Sequence, residues 1–339
     1  MKILLSLIAA ALLLVTSGSA RAGQTFDAVK KRGAVVCGVH TGLGGFGAPD
    51  QKGNWAGLDV DVCRAVAAAM FGDSEKVKYV PLSAQQRLTA LQSGEIDMLS
   101  RNTTWTLTRE AANGLLFTAT NFFDGQGFLV AKKLGVKAAT ELNGATVCVQ
   151  TGTTTELNLS DFARANKLDI KPVTIENFEE AASAFVAGRC DAMTSDKSQL
   201  AAIRANQTPN PDDYVILPEL ISKEPLSTAV RQGDDQWFNL VKWSFYAMVE
   251  AEERGVTSAN VDAMTKSPDP NIQRLLGASG DMGKGLGVDN KWAYVIIKQV
   301  GNYGESFERN VGKASKLKLE RGLNALWNKG GLMYAMPIR

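Results

Sequence analysis

A helix–strand unit that occurs twice, 94 residues apart, constrains this chain more than any other feature. Ser83 with Gln86 forms a capping-box signature, Gly94 supplies a helix stop, and Glu95 to Leu99 follows as a strand. Asn177 with Glu180, then Gly188, then Cys190 to Thr194 repeat the pattern in the same register, which also carries Asp97 onto Asp191. Upstream, Ala34 to Val39 reads as a strand and Leu58 to Met70 as a helix with Val62, Ala65, Val66 and Ala69 on one face. Val77 to Leu82 is a further strand. Such alternation predicts a parallel sheet flanked by helices, and the repeat predicts two such halves. The register also sets Asn102 against Asp196, each beyond the carboxyl end of a strand, where open α/β sheets take ligands.

Two halves facing a cleft need crossings. Gly125 to Lys133 reads as an extended segment leaving the first half and Leu226 to Arg231 as one returning, together a hinge. The expected division is residues 23–128 and 228–339 for the first lobe and 129–227 for the second. Gln236 to Glu253 reads as a long amphipathic helix packing back on the first lobe. Ser258 to Asp289, rich in turn residues, reads as a loop-and-helix elaboration, and Lys313 to Arg321 as a basic helical stretch with a solvated face.

The front end has the three parts of a secretory signal peptide: Lys2, an apolar run from Ile3 to Val15, and an Ala20-Arg21-Ala22 cleavage site. Cleavage before Gly23 removes 22 of 339 residues, and with them Lys2 and Arg21, so 35 basic residues face 35 acidic ones. A near-neutral exported chain without a second long apolar run is a poor partner for nucleic acid and does not insert in a membrane. Its length fits about two domains. In an oxidising compartment the four cysteines are expected to pair. One bridge per half, Cys37–Cys63 and Cys148–Cys190, is favoured over the other connectivities.

The chemistry concentrates in GEIDMLSRNTTWTLTR, Gly94 to Arg109, a strand spilling Ser100, Asn102, Thr103 and Thr104 into a loop that ends on Arg109 at a helix start. Neutral hydrogen-bond groups beside a guanidinium fork suit a small carboxylate better than bond breaking. Thr153 and Thr154 open a helix after a strand. They read either as a plain N-cap or as an anion site at a helix start. Asp196 opens another helix, as a cap or as a partner for an ammonium group. Together Arg109 and the Thr153–Thr154 helix start meet the needs of an α-carboxylate, and Asp196 with Asn102 or Thr104 those of an α-amino group. Arg101 would meet an acidic side chain, or else face solvent. Gly42 to Gly47 matches G-x-G-x-x-G, but Ala48, Pro49 and Asp50 stand where the helix should begin, so a flexible or ligand-lining loop is the better reading. His40 is the single histidine and reads as structural, and neither a metal cluster nor a cofactor motif is present.

GLDVDVCRAV, LQSGEIDMLSRNTTWTLTRE, DGQGFLV, VCVQTGTTTELNL and EPLSTAVRQGDDQW together resemble the periplasmic solute-binding subunits of polar amino-acid ABC transporters, above all the general L-amino-acid-binding branch. The resemblance spans the mature chain. It implies a type II periplasmic-binding-protein fold, two α/β lobes joined by two hinge strands, that closes on an L-amino acid. It further implies a monomer that delivers the ligand to an ABC permease in the inner membrane, without a cofactor and not an enzyme. By position it puts Arg109 on the α-carboxylate, helped by Thr104 and Thr153–Thr154, and Asp196 on the α-ammonium. Asn102 stands where many relatives carry serine. An aromatic in the first loop stacks on the ligand side chain in smaller relatives, and Phe46 is the candidate here. The glycine-rich first loop and Arg101 suggest broad specificity tilted to polar and acidic amino acids. The alternative is a secreted dehydratase on the same fold, with Glu156 or His40 as its acid or base; a sensor input domain is a more distant option.

Overall fold

The computed structural model of the protein describes residues 24–339, so the leader expected over residues 1–22 lies outside the described residues. After helix α1 (Gln24–Arg32), strand β1 (Val35–Val39) runs through the middle of a sheet with every residue buried. A strand covered on both faces reads as a continuous apolar run, as VVCGV does. At Gly38 a Cβ would meet the terminal methyl of buried Ile96 at 2.5 Å, so a larger residue would force that side chain to shift. A short ribbon of β2 (Ala48–Pro49) and β3 (Trp55–Ala56) stands apart, and the first sheet has the order β4-β1-β5-β12-β6, with β4 (Val77–Pro81), β5 (Met98–Leu99), β6 (Leu115–Asp124) and β12 (Glu224–Arg231). β1 is parallel to β4 and β5, while β12 runs antiparallel to β5 and β6. Helices α2 (Leu58–Phe71) and α3 (Gln86–Ser93) connect its parallel strands. The second sheet has the order β11-β7-β10-β8-β9, with β7 (Gln126–Ala131), β8 (Thr146–Gln150), β9 (Lys171–Ile175), β10 (Ala192–Asp196) and β11 (Tyr214–Ile216). Its helices are α5 (Thr154–Asn166), α6 (Phe178–Val186) and α7 (Lys197–Asn206).

The repeated unit holds. Ser83 and Gln86 exchange reciprocal bonds at 3.3 and 3.2 Å, and Gly94 ends α3 in the left-handed conformation. Asn177 accepts from Glu180 N at 2.9 Å, and Gly188 is left-handed after α6. The second strand of the unit falls at Ala192–Asp196, two residues later than expected, and the first is only Met98–Leu99. Both disulfides form inside single lobes, Cys37–Cys63 joining β1 to α2 and Cys148–Cys190 joining β8 to the residues before β10.

Two antiparallel connections link the sheets. β6 passes into β7 through Gly125, and β11 returns to β12 through residues 217–223, with Glu224 paired to Asp124. The boundaries drawn from sequence at 128/129 and 227/228 therefore cut inside β7 and β12. Helix α8 (Asp235–Glu253) packs on α2 and β6, and its buried Trp237 donates from the indole to Asp97 O at 2.9 Å. Burying such a side chain contributes about 3 kcal/mol. Short helices over Val261–Met264, Pro270–Leu275 and Met282–Leu286 build the expected elaboration. Lys313 to Arg321 is not helical. Lys318 is left-handed (φ 51°), Leu317 is buried, and Leu319 N bonds back to Val311 O at 2.9 Å, so burial of the leucines overrode helix propensity. Among the described residues, no helix is long and apolar enough to cross a membrane.

The lobes are closed on each other. Thr41 of lobe 1 donates to Glu179 of α6 at 2.9 Å, and Ser83 to Glu176 at 3.4 Å. Gln85 packs against Gly152, and the His40 ring meets Phe178 edge-on at 5.2 Å.

Candidate functional site

Between the lobes lies a narrow cavity of about 10 Å³, lined by Arg87, Arg101, Asn102 and Thr104 from lobe 1. Lobe 2 contributes Gln150, Thr153 to Thr155, Ser195, Asp196 and Gln199. The lobe 1 wall is the loop after β5. Asn102 takes a left-handed φ of 36°, which asparagine tolerates better than most residues, and its backbone N–H donates to the buried carboxylate of Asp59 at 3.1 Å. That bond anchors the loop and aims the asparagine side chain at the cavity. The lobe 2 wall is made by the end of β10, where Asp196 opens α7, and by the start of α5.

The wall is rich in buried polar atoms that lack partners. Arg87 Nε, Arg101 Nη2, both amide atoms of Asn102 and Asp196 Oδ1 are all buried without a hydrogen bond. Orphaned buried groups are costly and rare in folded chains, so five on one cavity mark a place for a polar ligand. A larger surface cleft near the C-terminus, beside Trp243, Met282, Trp292 and Ile338, holds none of them.

Arg87 is held in place by Nη1 bonds to Asn102 O at 3.0 Å and Thr103 Oγ1 at 3.2 Å, and Arg101 by Nε to Leu82 O at 2.9 Å. Burial weakens the hold of both guanidiniums on their protons, Arg101 down to about 10, with the mutual repulsion of neighbouring arginines adding to the effect on Arg87. Asp196 is displaced the other way. Burial, then the negative charges of Asp124 and Glu224, push its carboxyl well above the usual range. Asp124 is raised to about 6 and Asp59 to about 7, in both cases chiefly by burial. One wall is short of an anion and the other of a cation.

The structure sorts the residues expected from sequence. Arg101, Asn102, Thr104, Thr153, Thr154 and Asp196 come together on the cavity. Arg109, buried in α4 (Leu107–Ala111), is not among its lining residues and donates from Nη1 to Thr104 O at 2.9 Å. The Thr153 hydroxyl is consumed locally: it donates to Gln150 O at 2.7 Å and caps α5 through Glu156 N at 3.1 Å. Phe46 does not reach the ligand site. Its ring lies edge-on to Phe122 at 5.3 Å in the lobe 1 core, and its carbonyl caps α2 through Asp59 N at 3.0 Å. Only a glycine at position 57 allows that approach, since a Cβ there would lie 2.1 Å from Phe46 O. A cap and a core contact fix the phenylalanine, leaving no aromatic wall from this loop.

Nothing in the site favours the dehydratase alternative. His40 is buried against Phe178, with burial lowering its proton affinity, and Glu156 bonds Gly152 N at 2.9 Å; neither lines the cavity. Arg87, Gln150, Thr155, Ser195 and Gln199 line it without having been expected. Arg87 carried a signal, for it shares the buried stripe of α3 with Ala90 and Leu91, where a lone charge is out of place.

The family model for bacterial extracellular solute-binding proteins, family 3, matches residues 35–258. The chain belongs to that family. The general L-amino acid-binding periplasmic protein AapJ of Rhizobium johnstonii is 58% identical over 99% of both chains. The glutamate/glutamine/aspartate/asparagine-binding protein BztA of Rhodobacter capsulatus is 54% identical over 97% of both. Among solved structures, an ABC transporter periplasmic binding protein from Brucella ovis with glutathione bound is 55% identical, covers 93% of this chain and 99% of its own, and superposes with a TM-score of 0.91. The protein is thus an extracytoplasmic solute-binding protein with the type II periplasmic-binding fold, two α/β lobes around a ligand cleft.

Proposed function

We propose that the chain captures L-amino acids in the periplasm, as a monomer exported by its leader, and delivers them to the permease of an ABC importer. Acidic and other polar amino acids are its preferred ligands. The α-carboxylate meets the backbone N–H groups at the start of α5 and Arg109, which stands behind the lining Thr104 in the closed form, spends one of its five N–H donors on Thr104 O, and turns another to the ligand. The α-ammonium meets Asp196. Arg87, Arg101 and the Asn102 amide take the ligand side chain.

The orphaned polar atoms carry this reading. Two guanidiniums, Arg87 and Arg101, face one cavity carboxylate, Asp196, a balance that a ligand with two carboxylates and one ammonium restores. Amides such as glutamine satisfy the hydrogen bonds but not the charge. Contacts from both lobes exist together only in the closed form, so ligand shifts the population toward closure, the shape offered to the permease.

The relatives' names support an amino-acid ligand. The glutathione in the Brucella ovis neighbour raises a second reading, because its γ-glutamyl end carries the same zwitterion. The closed cavity leaves only about 10 Å³ free, so a single amino acid requires less reopening of the lobes than a tripeptide does. Calorimetric titration with the twenty L-amino acids and glutathione tests the proposal. Glutamate and aspartate should bind most tightly, with glutamine and asparagine next. Binding of glutathione alone, or of no acidic amino acid, refutes it.

A further inference from the structure

The carboxylate of Glu224 is buried where the chain re-enters lobe 1, and four side chains donate to it. Oε2 accepts from Thr104 Oγ1 at 2.5 Å and from Thr154 Oγ1 at 2.9 Å. Oε1 accepts from Ser222 Oγ at 2.6 Å and from Asn158 Nδ2 at 2.8 Å. Thr104 belongs to lobe 1, Thr154 and Asn158 to lobe 2, and Ser222 to the returning hinge connection. One carboxylate thus joins both lobes and the hinge, yet Glu224 is not among the residues lining the cavity.

A carboxylate offers only lone pairs, and a threonine hydroxyl has a single proton. Both hydroxyl protons therefore point at Glu224. The direct Thr104–Thr154 contact, at 3.3 Å, is too long to compete with bonds of 2.5 and 2.9 Å. Thr104 and Thr154 both line the cavity, and each has only lone pairs left to present there.

From this we infer that Glu224 is a positioning residue that sets the polarity of the ligand cavity: by holding two threonine protons, it makes both hydroxyl oxygens acceptors. They suit the donors of an ammonium group and disfavour a carbonyl or carboxylate oxygen. The inference rests on the amino-acid reading above. It moves the Thr154 side chain from the carboxylate end of the ligand to the ammonium end, leaving only its backbone N–H for the carboxylate. Because Thr104 is bridged to Leu226 within lobe 1 while Thr154 comes from lobe 2, the two acceptors stand together only after closure. Selection for an amino group is then made at the closing step.

Two ligands of similar shape read the polarity. L-Glutamate carries an α-ammonium that only donates, and 2-oxoglutarate an α-carbonyl that only accepts. The dissociation constant of each is measured by calorimetry on the full mature chain, for wild type, Glu224→Gln, Thr104→Val, Thr104→Ser and the Glu224→Gln/Thr104→Val pair, with thermal unfolding to confirm folding. In Glu224→Gln the new amide donates to one hydroxyl and frees its proton for the cavity. The preference for glutamate over 2-oxoglutarate should fall at least about tenfold, the size of one charge-assisted hydrogen bond. Thr104→Val should lower it similarly, Thr104→Ser should keep it, and the double variant should lose less than the two single losses combined. An unchanged preference in folded Glu224→Gln overturns the inference. If that variant does not fold, an unchanged preference in Thr104→Val overturns it instead. A wild type that binds no amino acid overturns the ligand reading itself, a result separable from the other two.

Discussion

Asp196→Asn separates binding from folding, because the structure predicts opposite signs for the two. Asp196 accepts from Gln199 Nε2 at 2.9 Å through one oxygen, while the other is buried and unpaired. An ammonium placed about 3 Å away at an effective dielectric near 20 gains roughly 5 kcal/mol, and breaking such a buried pair costs about 3–5 kcal/mol. Asparagine keeps an acceptor dipole, so a loss of about 3 kcal/mol, or roughly a hundredfold in Kd for glutamate, is expected. The ligand-free protein should respond the other way. Burial and the neighbouring Asp124 and Glu224 raise the carboxyl of Asp196 above its unfolded value. A carboxyl raised on folding contributes stability below its unfolded pKa, near 4, and that contribution is lost as pH rises through the folded value. The neutral asparagine lacks this penalty, so the Tm of the variant minus that of wild type should grow more positive with pH above about 4. Calorimetric titration with glutamate and thermal unfolding without ligand, across pH 4–8, give both numbers. A Kd within tenfold of wild type, or a Tm difference that shrinks as pH rises, would refute the reasoning.

Three further outcomes follow from the same geometry. Since Asp124 is raised to about 6 and Asp196 faces it, the arriving ammonium should expel a proton near pH 6; glutamate affinity should rise with pH there, and binding heats should vary with buffer ionisation enthalpy. Arg87→Met should narrow the preference for glutamate over glutamine by roughly 10- to 100-fold, the loss of one hydrogen bond to a charged group, and equal losses for both ligands would refute a side-chain role. Replacing Cys148 and Cys190, separated by 42 residues, with serine should cost about 4 kcal/mol in urea unfolding at pH 7, whereas a loss below about 1 kcal/mol would show that lobe 2 does not depend on the bridge.

The legible parts of the fold are those written over short distances. The caps at Ser83 and Asn177, the left-handed stops at Gly94 and Gly188, and the apolar run of β1 each involve residues within one turn or one strand. Their repetition sufficed for two α/β lobes, and placing one cysteine pair in each lobe sufficed for the bridges. Lys313 to Arg321 shows where that logic stops, because Leu317 is buried and Leu319 N bonds back to Val311 O beyond the helix Tyr303–Asn310, contacts that no local pattern reports.

The site divides along the same line. Asn102, Thr104 and Asp196 were legible since each follows a strand's carboxyl end, a place the alternating pattern identifies. Phe46 was misplaced, because whether an aromatic in a loop meets ligand or core depends on which backbone packs beneath it, here α2 at Gly57. Arg87 and Glu224 were missed for a related reason. A charged residue gains meaning from the groups that surround it after burial, and Glu224 meets Thr104 from 120 residues away. Residue order alone therefore dictated helices, strands, lobe duplication and the strand ends that carry ligand groups, since periodicity and capping act between near neighbours. Which charges lie unpaired in the cavity, and which way its hydroxyl protons point, was settled only by the tertiary structure, because hydrogen-bond direction depends on partners that chain folding (for Thr104) and lobe closure (for Thr154) bring within 3 Å.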